Sequence, residues 1–163
     1  ELMELLSPQA NPGQMIYHPG TFNANPLSAV AGAATLRIVS TGKDIAIANA
    51  RAEALRDGMN KVIEDQGVSW CAYGDSSVFH ILINHSCPRP SSCDFVHCKY
   101  DYTKLKQTDP ELVSAFRCAM LLNGVDMPGP KGMLSSAHAG EDVARTVEAF
   151  NEAISLLKAD GLA

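Results

Sequence analysis

The chain has 163 residues, 46% of them apolar, which is enough to bury the core of one domain, and its composition gives no reason to expect two. A formal net charge of −5 without any block of like charges makes nucleic acids and anionic membrane surfaces unexpected partners. No stretch approaches the ~18 consecutive apolar residues of a membrane-spanning helix, so the composition is that of a globular protein.

The first 24 residues predict little regular structure. Leu2 to Leu6 resemble the end of a helix, and the first residue is Glu rather than Met, so we expect the chain to be part of a longer protein. Residues 7–24 predict a long irregular segment, because they contain five residues that interrupt helices and strands: Pro8, Pro12, Gly13, Pro19 and Gly20.

A helix is predicted to begin at Asn25 and to end before Thr41-Gly42. Asn25 can cap the first turn through its side-chain oxygen, and proline fits the first helical position because its missing N–H would have no partner there. From Pro26 to Val39 the residues are small and apolar almost all the way round, with Arg37 as the only charge. This pattern predicts a helix that is buried on more than one side.

The segment from Lys43 to Gln66 predicts an amphipathic surface helix, because its apolar residues recur at helical spacing and its charges fall elsewhere. Gly67 is expected to end it. Val68 to Tyr73 and Ser77 to Ile83 are rich in β-branched and aromatic residues on either side of the turn Gly74-Asp75. They predict two strands joined as a hairpin.

Residues 84–108 carry prolines, cysteines and charges without a clear period, and they predict a long loop. Asp109-Pro110-Glu111 is a strong helix start, and Gly124 follows the expected end of that helix.

The tail of the chain predicts two short strands and a final helix. Val125 to Met127 and Met133 to Ser136 are the candidate strands, and Glu141 to Lys158 has the apolar spacing of a helix. The resulting order is helix, helix, strand, strand, helix, strand, strand, helix. It predicts an α+β fold, in which the helices pack on one face of a small antiparallel sheet.

Gly20 and Thr21 stand just before the capped helix start at Asn25. Glycine allows a close backbone approach, the threonine hydroxyl can donate a hydrogen bond, and the N-terminus of a helix offers unpaired N–H groups. The combination suits an anion such as a phosphate, although an ordinary capped loop has the same residues.

Two longer stretches strengthen this interpretation: His18-Pro19-Gly20-Thr21-Phe22-Asn23-Ala24-Asn25-Pro26, and a tail from Gly124-Val125-Asp126-Met127-Pro128 through Leu134-Ser135-Ser136-Ala137-His138 to the helix from Glu141 to Val147. In this order and at this spacing, they resemble the C-terminal portion of the class III, fold-type I aminotransferases. These enzymes depend on pyridoxal phosphate (PLP) and include the glutamate-1-semialdehyde aminomutases.

The resemblance implies that residues 1–24 cross from a large domain and that residues 25–163 form the C-terminal small domain of such an enzyme. Gly20 and Thr21 match the family's Gly-Thr, whose hydroxyl and backbone N–H groups bind the phosphate of PLP across the dimer interface. The implied partners are the large domain, a second subunit of a homodimer and an amino acid or amine substrate.

The resemblance also implies that this chain is catalytically incomplete alone, since the family's Schiff-base lysine and the acidic partner of the pyridine nitrogen lie in the large domain. None of the lysines here has the apolar setting of a Schiff-base lysine. Lys131 is the only lysine near a plausible cleft. His80 and His138 are expected to pack or cap rather than to act as acids or bases.

The five cysteines, an odd number, favour reduced thiols in a cytoplasmic protein over a disulfide framework. The predicted loop nevertheless carries thiol and imidazole groups that zinc can use, although their spacing is poor for simultaneous ligation: His85, Cys87, Cys93, His97 and Cys98. A second class of function therefore stays open, a non-enzymatic dimerisation or regulatory α+β domain, with a structural zinc in that loop as an option.

Overall fold

A computed structural model of the chain describes residues 2–7, 9, 13, 15–18, 20–84 and 109–163. Residues 85–108 of the predicted long loop lie outside the described residues, and so do the candidate zinc ligands in that loop. The chain divides into two compact units, Glu1–Ser40 and Thr41–Ala163, and each is described by itself. The division expected from the sequence, between residues 24 and 25, stays a prediction; the first compact unit includes the helix that follows that point.

The first unit contains a short 3-10 helix, Leu2–Leu6, and the helix α1, Pro26–Val39. α1 begins where the sequence predicts. The Asn25 side-chain oxygen accepts a hydrogen bond from the Ser28 N–H at 3.1 Å, and Pro26 occupies the first turn. The predicted capping is therefore confirmed.

No residue of α1 is buried, although its sequence predicts burial on more than one side. Leu27 is 80% exposed and Val30 is 68% exposed. A run of small apolar residues indicates a surface that is buried from solvent, but it does not show whether the same chain or another chain buries it. The expectation is wrong for this chain, and α1 presents an apolar surface.

The second unit packs helices on one face of a three-stranded antiparallel sheet with the strand order β1-β2-β3. Its elements are α2, Lys43–Gln66; β1, Cys71–Tyr73; β2, Val78–Leu82; α3, Pro110–Leu122; β3, Lys131–Met133; and α4, Gly140–Ala159. α4 packs against both α2 and α3, and α2 lies against β1 and β2. The predicted α+β fold, with its hairpin of β1 and β2, is confirmed.

The third strand differs from the prediction. Val125–Met127 is not a strand, because the Val125 N–H donates to the Met120 carbonyl at 3.0 Å and so completes the end of α3. The strand predicted at Met133–Ser136 begins and ends two or three residues earlier. Its end is fixed where the Ser135 N–H donates to His138 Nδ1 at 3.0 Å and starts a turn.

The register of the sheet places Gly132 of β3 opposite Phe79 of β2. A Cβ atom at position 132 would lie 2.6 Å from Phe79 Cε1, which is closer than carbon atoms approach each other. Glycine therefore allows the Phe79 ring to lie over β3.

Three aromatic rings form the centre of the core. Trp70, which precedes β1, lies 5.7 Å from Phe116 of α3 and 6.0 Å from Phe150 of α4 between ring centroids. Phe116 and Phe150 meet edge to face at 6.0 Å. Because the rings come from three separate elements, their contact joins both of these helices to the sheet.

Asn60 of α2 is the buried polar side chain among the described residues, and it binds the edge of β1 that faces away from β2. Its Nδ2 donates to the Ala72 carbonyl at 2.8 Å, and its Oδ1 accepts from the Ala72 N–H at 2.9 Å. These two bonds satisfy the donor and acceptor that Ala72 turns away from β2. The amide side chain thus takes the place of a neighbouring strand.

Replacing Asn60 by Ala is expected to lower the free energy of unfolding by about 3 kcal/mol, because two hydrogen bonds are lost and the Ala72 backbone groups stay buried without partners. Urea unfolding can be followed by the fluorescence of Trp70, the single tryptophan of the chain. Asn49→Ala on the same helix is the control and should change the unfolding midpoint little. Equal midpoints for the two variants would contradict the role of Asn60.

Candidate functional site

The segment before α1 makes two successive turns. The Asn23 N–H donates to the Gly20 carbonyl at 3.1 Å, and the Asn25 N–H donates to the Phe22 carbonyl at 3.0 Å. The Asn23 side chain also donates to the His18 carbonyl at 3.2 Å. This hydrogen bonding fixes Gly20 and Thr21 at the entrance to the helix.

Gly20 lies against the exposed side chain of Asn23. A Cβ atom at that position would overlap the Asn23 side chain, whose oxygen and Cγ lie against it. The next residue, Thr21, is exposed, so its hydroxyl is accessible from solution.

The donors at the start of α1 can be assigned one by one. Pro26 has no N–H, and the Ser28 N–H is used by Asn25, so the Leu27 N–H is the early helical donor without a partner inside the helix. Thr21 comes earlier in the chain, and the turns closed by the Asn23 and Asn25 N–H groups lie between it and Leu27. A hydroxyl and a helix N-terminus are both ordinary phosphate ligands, so each of these donors is of a type that suits a phosphate oxygen. That Gly20 and Thr21 hold PLP stays a prediction.

The described lysines all lie on the surface: Lys43, Lys61, Lys131 and Lys158. Lys158 donates from Nζ to the Gln66 carbonyl at 2.8 Å, where it closes the end of α2. The described part of the chain therefore offers no lysine in a closed apolar pocket.

A second candidate site is an open cavity of about 540 Å³ beside β3, which we call the β3 groove. Its floor is apolar and buried, and it is formed by Leu55, Phe79, Met127 and Leu134. Charged and imidazole side chains line the groove as well: His80, Asp126, Lys131, His138 and Asp142. All of these residues belong to the second unit.

The two histidines of the groove have local structural partners. His138 Nδ1 accepts from the Ser135 N–H at 3.0 Å, and His80 stacks on Tyr73 with ring centroids 5.3 Å apart. His138 thus holds a turn and His80 packs against a neighbouring ring, and the expectation that neither acts as an acid or base stays a prediction. An acceptor at Nδ1 means that the neutral His138 ring carries its proton on Nε2.

The two carboxylates of the groove also have partners. Asp126 Oδ1 lies 3.4 Å from Arg117 Nη2, and Asp142 Oδ2 accepts from the Ala139 N–H at 2.7 Å. No such partner is seen for Lys131 among the residues that the structure describes. The sequence indicated Lys131 as a candidate contact but did not predict the groove. The groove forms only when several elements pack together: α2, the sheet, the segment 125–128 and α4.

No group of three or more His, Cys, Asp or Glu side chains that could hold a metal ion occurs in residues 2–84 and 109–163 as far as they are described. The described helices also include none that is both long and apolar enough to span a bilayer.

The chain is similar in sequence to proteins named glutamate-1-semialdehyde 2,1-aminomutase. The match to the protein of Archaeoglobus fulgidus has 33% identity over 158 residues and covers 94% of this chain and 34% of the relative. The match to the protein of Methanosarcina acetivorans has 28% identity over 155 residues and covers 93% of this chain and 33% of the relative. The chain thus spans about a third of the length of the curated relatives it matches.

Solved structures give the same result. An omega-transaminase from Sphaerobacter thermophilus matches with a TM-score of 0.72 and 27% identity over 94% of this chain and 33% of that one. The PLP internal aldimine form of the FumI protein of Sphingopyxis sp. MTA144 matches with a TM-score of 0.66 and 25% identity over 91% and 31% of the two chains. No protein-family model matches the chain. Sequence and structure together confirm the resemblance to the PLP-dependent aminotransferases of class III.

Replacing Asn25 by Ala is expected to destabilise the first turn of α1 by about 1 kcal/mol, because the Ser28 N–H loses its acceptor. The Ser28 amide should then exchange its hydrogen about fivefold faster in a native-state exchange experiment. Asn25→Asp retains the acceptor and should preserve the protection. Unchanged exchange in the alanine variant would show that the cap does not order this turn.

Proposed function

We propose, from the likeness of this chain to the class III PLP-dependent aminotransferases, that it serves as the C-terminal small domain of an aminotransferase or aminomutase. The observation that carries the proposal is a similarity to aminomutases and transaminases that covers 94% of the chain in sequence, with one relative, and 94% in structure, with another protein. That similarity takes in both the turn at Gly20 and Thr21 and the sheet with its helices. The substrate would be an amino acid or an amine, and the enzyme would work in the cytoplasm.

The residues of this chain would bind and orient the cofactor. The Thr21 hydroxyl, the backbone N–H groups of Gly20 and Thr21, and the Leu27 N–H would donate hydrogen bonds to the phosphate of PLP held by the partner subunit of a homodimer. The N-terminus of α1 would add the attraction of its helix dipole for the phosphate charge. When bound, PLP supplies the electron sink for chemistry at the amino-bearing carbon.

The groups that react would lie elsewhere. The Schiff-base lysine and the acidic partner of the pyridine nitrogen would belong to a large domain, which corresponds to the other two thirds of the relatives. The exposed apolar surface of α1 supports this arrangement, since a large domain and a partner subunit would cover it.

The 163-residue chain alone is expected to form no stoichiometric Schiff base with added PLP, because its described lysines are exposed. After borohydride reduction and digestion, mass spectrometry should show slow modification spread over several lysines. One dominant, stoichiometric adduct at a single lysine would overturn the view that the reacting lysine lies in another domain.

A chimera tests the phosphate contact. In it, this chain replaces the aligned part of the Archaeoglobus fulgidus relative. Thr21→Ala should weaken PLP binding about tenfold, as expected from the loss of one hydrogen bond to a charged group. Thr21→Ser should retain the affinity, and so should Thr35→Ala, whose hydroxyl bonds to the Ala31 carbonyl within α1.

The chimera also separates the enzyme from the alternative, a non-enzymatic dimerisation or regulatory domain. A chimera that folds but binds no PLP would favour that alternative. Equal PLP affinities of the Thr21→Ala and Thr35→Ala variants would exclude the proposed role of Thr21.

A further inference from the structure

Asn123 is followed by Gly124 at the end of α3, and no other asparagine of the chain precedes a glycine. In such a pair, the glycine nitrogen can attack the asparagine side-chain carbonyl carbon, Cγ, because glycine has no side chain that hinders the approach. The other asparagines precede alanine, proline or residues with larger side chains. This chemistry needs only water as a co-reactant, so its position depends on the chain alone.

In the folded chain, hydrogen bonds to the helix hold both reacting groups. The Gly124 N–H donates to the Leu121 carbonyl at 2.9 Å, and Asn123 Nδ2 donates to the Ala119 carbonyl at 2.9 Å. The Gly124 nitrogen must leave the Leu121 carbonyl before it can turn toward Asn123 Cγ. The last turn of α3 must therefore open for the reaction to occur.

The last turn of α3 can open while the core stays folded. Leu121 is 56% exposed, Leu122 is 79% exposed, and Gly124 is exposed as well. Opening this turn returns little apolar surface to water, and the ends of helices open at a low cost in free energy.

The Arg145 guanidinium lies beside the reacting nitrogen. A Cβ atom at position 124 would lie 2.8 Å from Arg145 Nη2. The attack requires that the Gly124 nitrogen lose its proton, and a neighbouring positive charge favours the deprotonated form. The surroundings of this pair therefore support the reaction once the turn is open.

From the residue pair and the exposed helix end, we infer that Asn123 is a site of spontaneous covalent modification, which proceeds when the last turn of α3 opens. The Gly124 nitrogen loses its proton and bonds to Asn123 Cγ. The Cγ–Nδ2 bond breaks, and the amide nitrogen leaves with that proton as ammonia. Water then opens the resulting succinimide ring at either carbonyl carbon, which leaves aspartate or isoaspartate at position 123. The assignment does not rest on the proposed function.

Both products weaken the end of α3. An aspartate adds a negative charge at the negative end of the helix dipole, and it has no amide donor for the Ala119 carbonyl. An isoaspartate adds a carbon atom to the main chain and displaces Gly124 and Val125, whose N–H groups close the last turn. The segment 125–128 begins at this point and lines the β3 groove. The modification therefore loosens one wall of the groove.

The test incubates the full, folded chain in mildly alkaline buffer and follows tryptic peptides by mass spectrometry. Trypsin releases residues 118–131, in which Asn123 is the single asparagine, and residues 146–158, in which Asn151 is the single asparagine. We expect the conversion of amide to acid in residues 118–131 long before it occurs in residues 146–158. Asn151 is the internal control, because it lies inside α4 and precedes a glutamate. Equal conversion of the two peptides would overturn the assignment.

Two variants of Leu121 test the requirement for opening. Leu121→Gly should react at Asn123 about fivefold faster than Leu121→Ala, because glycine disfavours the last helical turn and alanine favours it, while both variants lose the leucine side chain. Equal rates in the two variants would exclude opening of the turn as the controlling step.

Asn123→Asp has the sequence of the aspartate product and tests the effect of the modification. It should unfold at a lower urea concentration than the unmodified chain, as followed by the fluorescence of Trp70, which contacts Phe116 of α3. An unchanged unfolding midpoint would show that this product does not weaken the end of the helix.

Discussion

The pair of hydrogen bonds between the Asn60 side chain and the Ala72 backbone is the constraint on which the second unit depends. It ties the long helix α2 to the outer strand β1 at a buried point, where water cannot replace a lost partner. It also closes the strand edge against pairing with another strand. Among the described strands, the sheet runs from β1 through β2 to β3, and this order places β3 beside the groove.

The sequence predicted the elements whose ends are marked by local chemistry. Asn25 and Asp109 accept hydrogen bonds in the first turns of their helices, and Gly67 ends α2 in a left-handed conformation, as expected. The strand expected at Val125–Met127 failed, because its residues have strand propensity but the Val125 N–H is used by the end of α3. Local sequence patterns cannot show that the end of a helix uses the N–H group that a strand would need.

The two candidate sites also differ in how much of each one local sequence patterns can predict. Gly20 and Thr21 could be singled out from sequence, because their neighbours in the chain make the turn and the longer stretch resembles the aminotransferases, and their role in binding phosphate stays a prediction. The β3 groove could not, because its residues come from stretches as far apart as Leu55 and Thr146. The exposure of α1 was not predictable either, since an apolar sequence indicates that a surface is covered and not which chain covers it.

Gly132 has a consequence for the groove beyond its own position. The sheet aligns it with Phe79, where even one added methyl group would overlap the aromatic ring. A slip of β3 by one residue would exchange the two faces of the strand and bring Lys131 or Met133 against that ring. The absence of a side chain at position 132 therefore favours the observed register of β3. The position of Lys131 beside the β3 groove is thus set by the neighbouring residue that carries no side chain.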